Sequence, residues 1–70
     1  MDLRQLSDEQ LKALKERIVS CFADGLSHKE VLDRVDLDGP QLVTLRRRDQ
    51  MLDHHIITAI HKAEKGNNAS

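Results

Sequence analysis

A serine flanked by apolar residues and followed three positions later by Gln or Glu occurs twice, as Leu6-Ser7-Asp8-Glu9-Gln10-Leu11 and as Leu26-Ser27-His28-Lys29-Glu30-Val31. In this pattern the serine oxygen accepts from a backbone N–H three residues on, the Gln or Glu reaches back to the serine N–H, and the flanking apolar pair staples the entry angle. Two helix starts are therefore written into the first 31 residues, and they cut the chain into short helical pieces. The first helix is predicted over 8–24, with Leu11, Leu14, Ile18, Cys21 and Phe22 recurring every three or four positions until Gly25 offers a left-handed stop. The second covers 28–35 and turns Val31, Leu32 and Val35 inward. Asp36-Leu37-Asp38-Gly39-Pro40 then reads as a turn, and a third helix capped by Asp38 begins at Gly39 or Pro40 and runs through Leu42, Val43, Leu45 and Arg46 to Arg48. Asp49 caps a fourth over 50–65, where Met51, Leu52, Ile56, Ala59, Ile60 and Ala63 keep the helical period before Lys65 and Gly66 close it.

The fold class is accordingly all-α, a small helix-turn-helix bundle of about four helices. Composition agrees, since Phe22 is the one aromatic of 70 residues and strands draw on aromatic and β-branched side chains. Residues 1–65 are expected to form one domain, with 66–70 as a disordered tail. The expected core is Leu11, Leu14, Ile18, Phe22, Val31, Leu32, Val35, Leu37, Leu42, Leu45, Ile56 and Ile60. No apolar run exceeds three residues, far below the ~20 a membrane span needs, and no secretory stretch opens the chain. A cytoplasmic protein is expected. Cys21 has no second cysteine to pair with and reads as a small apolar filler.

Two short helices joined by three residues form a helix-turn-helix unit when the inner positions are apolar. Here they are: Val31, Leu32 and Val35 on the first helix, Leu37 as a plug in the turn, and Leu42 and Leu45 on the second. These anchors leave Pro40, Gln41, Thr44, Arg47 and Arg48 on the outer side, where a recognition helix carries the groups that touch DNA. The segment 25–59 resembles the helix-turn-helix of bacteriophage terminase small subunits and related resolvase-like regulators. The resemblance rests on Gly25, Ser27, Leu37, Leu42, Leu45, the Arg46–Arg48 run, Asp49 and Met51. It implies a module that recognises duplex DNA in transcription regulation or DNA packaging. The chain departs from the family at Leu32, where a small residue lets the two helices close, and at Asp36, where glycine is usual. Asp tolerates positive φ better than most residues, so the turn is expected to survive the second departure.

Charge divides the chain. Residues 1–38 carry six basic and nine acidic side chains, residues 39–70 five and three, while the whole is balanced at -1. Attraction to phosphate must then reside in the second half, and Gln41, Thr44, Arg46, Arg47 and Arg48 are the candidate nucleic-acid contacts. Asp33, Asp36 and Asp38 ring the start of the third helix and support the alternative, a protein-binding module that docks on a partner such as a component of the transcription machinery. No catalytic residue is proposed, because no Ser or Cys nucleophile lies at a suggestive spacing and no Gly-rich loop would cradle a phosphate. His54, His55 and His61 are separated by one, six and seven positions, whereas helical ligand pairs sit three or four apart, so neither a metal nor another cofactor is expected. Met51 and Ile57 fall outside the inward stripe of the fourth helix, and a weak homodimer through that helix is expected from them.

Overall fold

The computed structural model describes residues 2–68, with side chains described through 65. After a single 3-10 turn at Leu3–Gln5 come four helices: α1 (Asp8–Ala23), α2 (His28–Val35), α3 (Gly39–Arg48) and α4 (Gln50–Asn68). There is no strand among the described residues. Both serine devices form in full. Ser7 Oγ accepts from the Gln10 N–H at 3.2 Å while Gln10 Oε1 accepts from the Ser7 N–H at 2.9 Å. Ser27 and Glu30 make the same exchange at 3.3 and 3.4 Å.

Helix α1 ends as Gly25 takes φ 86° and the Leu26 N–H reaches back to the Cys21 carbonyl at 3.3 Å. Helix α4 runs to Asn68, past the stop expected at Lys65 and Gly66. A glycine ends a helix when it turns left-handed and an apolar residue behind it packs back on the last turn. Asn67 and Asn68 provide no such residue. Apart from the helical backbone of 66–68, the expected tail lies outside the described residues.

Helix α1 lies against both α4 and α2, and α3 lies against α4. The buried core is Leu14, Ile18 and Phe22 from α1, Val31 and Val35 from α2, Leu37 from the turn, Leu42 and Leu45 from α3, and Leu52, Ile56 and Ala59 from α4. Leu11, Leu32 and Ile60, expected inside, are instead half-buried on its margin, and Cys21 packs there as well. The correction comes from how α4 is rotated. Its buried stripe is Leu52-Ile56-Ala59, which brings in two residues outside the expected core and turns Ile60 to the edge. Periodicity allows either stripe, and only the neighbouring helices choose between them. No helix among the described residues is long and apolar enough to cross a membrane.

Candidate nucleic-acid interface

The helix-turn-helix unit is built by local chemistry on both sides of its turn. Helix α2 ends at Asp36, which adopts φ 57° and ψ 44°, and the Leu37 N–H donates to the Leu32 carbonyl at 3.0 Å. Leu37 is thereby pointed into the core as a plug. Asp38 caps α3, its Oδ1 accepting from the Gln41 N–H at 2.9 Å, and Gln41 Oε1 accepts in return from the Asp38 N–H at 3.1 Å. Pro40 sits in the first turn of α3, where no intrahelical partner awaits its missing N–H. Leu42 and Leu45 hold α3 down.

The five candidate contacts are brought onto one helix but are not equivalent. Gln41 is half-buried and closes the capping box with Asp38. The sequence carried this signal, since Asp38 and Gln41 repeat the spacing of Ser7–Gln10 and Ser27–Glu30. Thr44 is exposed, and its hydroxyl donates to the Pro40 carbonyl at 2.9 Å, a common back-bond that leaves the oxygen free to accept. Arg46 is half-buried, with Nε donating to Asp53 Oδ1 at 2.6 Å and clasping α3 to α4. Arg47 and Arg48 are exposed and make no ion pair among the described residues. The outward cationic surface therefore narrows to Arg47 and Arg48 at the carboxyl end of α3, where the helix dipole also favours positive charge.

That end is fixed by a joint that the sequence pattern does not reveal. Asp49 Oδ2 accepts from Lys15 Nζ of α1 at 2.8 Å, and Asp49 Oδ1 accepts from the Leu52 N–H at the start of α4 at 3.1 Å. The Lys15 hydrogen bond, and after it the Leu52 N–H, hold the Asp49 carboxyl below its ordinary value. A partner 34 positions away leaves no periodic trace, whereas the capping role of Asp49 is local and legible.

Asp33, Asp36 and Asp38 are also brought together. They line an open groove between α2 and the start of α3, with Lys29, Glu30, Leu32, Leu37 and Gln41. Leu32 is in that lining, and α2 seats on α1 while α3 seats on α4. Among the described residues no group of three or more His, Cys, Asp or Glu is arranged to hold a metal ion. The His28 ring meets Phe22 edge-on, with centroids 5.0 Å apart. Val43, Met51 and Ile57 are the large apolar residues left exposed among the described residues, and Val43 joins the two that the sequence pattern singles out. No protein-family model matches the chain, and no curated protein or solved structure matches it.

Proposed function

We propose that this helix-turn-helix domain binds duplex DNA through the outer face of α3, in the manner that its resemblance to phage terminase small subunits and resolvase-like regulators implies. The observation that carries the reading is the pair Arg47 and Arg48, exposed on the outward side of the second helix of the unit and without an ion-pair partner among the described residues. Arginine presents a planar fork that fits phosphate oxygens or a guanine edge. The carboxylates at the amino end of α3 disfavour phosphate there, so contact is made by the carboxyl half of the helix. Thr44 adds a hydroxyl acceptor beside the arginines, and Arg46 supports them by fixing α3 on α4. The same resemblance implies that this contact serves transcription regulation or DNA packaging.

The test is a titration of the labelled full chain with mixed-sequence duplex at low salt. Shifts concentrated at 39–49 are expected, and an unchanged spectrum defeats the proposal. Replacing Arg47 and Arg48 by Ala lowers affinity by roughly 1 to 3 kcal/mol if either reaches a guanine, and flattens the salt dependence by about one unit of slope for each phosphate no longer neutralised. Two half-sites call for two copies. Met51 and Ile57 are exposed on α4 about 120° apart around its axis, and the homodimer we propose pairs two copies through that helix. Sedimentation showing a strict monomer at high concentration removes the dimer.

A further inference from the structure

We infer that the groove between α2 and α3 is a docking site for a lysine- or arginine-rich segment of a partner protein. The inference stands apart from the DNA face, because its lining lies on α2, the turn and the first residues of α3. Glu30, Asp33, Asp36 and Asp38 face this groove against Lys29 alone, a local net of -3 in a chain whose total is -1. The rest of the molecule is therefore positive by two, and the negative field is a property of the groove and not of the protein as a whole. Half-buried Leu32 contributes apolar surface between those carboxylates, while Leu37 closes the floor of the groove as part of the core.

Apolar surface bounded by carboxylates suits one kind of side chain. Lysine and arginine lay three or four methylenes along an apolar surface while the charged head stays in water. Here the stem covers Leu32 and the head lies between Asp33 and Asp36, whose carboxylates have no protein partner among the described residues. A bare metal ion gains nothing from the leucines, and the carboxylates are not gathered for coordination among the described residues. A nucleic acid is repelled. The groove is also open to solvent, which admits a segment from outside.

The probe is a synthetic peptide of alternating lysine and glycine, titrated into the labelled full chain. Its counterpart replaces each lysine by diaminobutyrate, which keeps the amine and removes half the stem, compared below neutral pH where both are charged. Saturable shifts confined to 29–41 are expected, with weaker binding of the short-stemmed peptide. The double variant Asp33→Asn, Asp36→Asn should bind the lysine peptide roughly threefold to tenfold more weakly. Asn also tolerates the left-handed conformation at 36, so this variant keeps the turn. The proposal is overturned by the absence of saturable shifts, by equal affinity for the two peptides, or by equal shifts at the α1 carboxylates Asp8, Glu9 and Glu16. It is also overturned if the same resonances move with protein concentration alone, which makes a second copy the occupant, or if duplex DNA moves them.

Discussion

The junctions on either side of α2 are closed by one backbone device made from two different residues. Between α1 and α2 the left-handed position is Gly25, with φ 86°, and the following leucine returns an N–H to the carbonyl five residues back. Between α2 and α3 that position is Asp36, with φ 57°, and Leu37 makes the corresponding bond. Glycine enters this region without steric cost, while a residue with a Cβ pays roughly 1 to 2 kcal/mol, less for Asp. The first junction therefore turns the chain at no steric cost. The second accepts strain and in return places a carboxylate on the groove that also holds Asp33 and Asp38.

The largest test of the comparison removes the residue on which the first junction rests. Phe22→Ala should cost about 3 kcal/mol or more, and in a single core of this size, with total stability on the order of 3 to 5 kcal/mol, it should leave much of the population unfolded. Thermal or urea unfolding measures it, and an unchanged transition would show that the core is misassigned. Leu37→Ala at the second junction should cost about 2 kcal/mol or more by the same mechanism; a loss no greater than that of a surface substitution would mean that the plug does not anchor α3.

The glycine and aspartate positions should then respond with opposite sign. Gly25→Ala forces a Cβ into the left-handed region and should destabilise by about 1 kcal/mol, although nothing crowds the site. Asp36→Gly relieves strain against the greater freedom of unfolded glycine and should stabilise by about 0.5 kcal/mol, read as a rise of roughly 2 to 4 °C in melting temperature. If both substitutions lower stability, the two junctions are not equivalent devices.

The smallest expected effect belongs to the third junction, where Asp49 links α1, α3 and α4. Its carboxyl is held low in the folded chain by Lys15 and the Leu52 N–H, so its contribution is present above the ordinary carboxylate value and is lost as pH falls through the depressed one. Asp49→Asn should therefore flatten the acid limb of the stability curve below about pH 4 and change its shape little above. An acid limb identical to that of the parent protein would sever Asp49 from acid stability.

What the sequence by itself determined is everything carried by short-range periodicity and capping: four helices, their starts at residues 8, 28, 39 or 40, and 50, and the three-residue turn with its leucine plug. These follow from hydrogen bonds and staples spanning at most a turn of helix, which any neighbouring environment leaves intact. The candidate face of α3 was legible to the same depth, since Leu42 and Leu45 dictate which residues turn outward. Tertiary structure alone decided the rest. It rotated α4 so that Leu52 and Ala59 are buried and Ile60 is not, drew Arg46 from the cationic run to Asp53, and tied Lys15 to Asp49. It also opened the acidic groove between α2 and α3. Each of these depends on which side chains from different helices come within a few ångströms, and a one-dimensional pattern specifies the faces available for contact without specifying which of them meet.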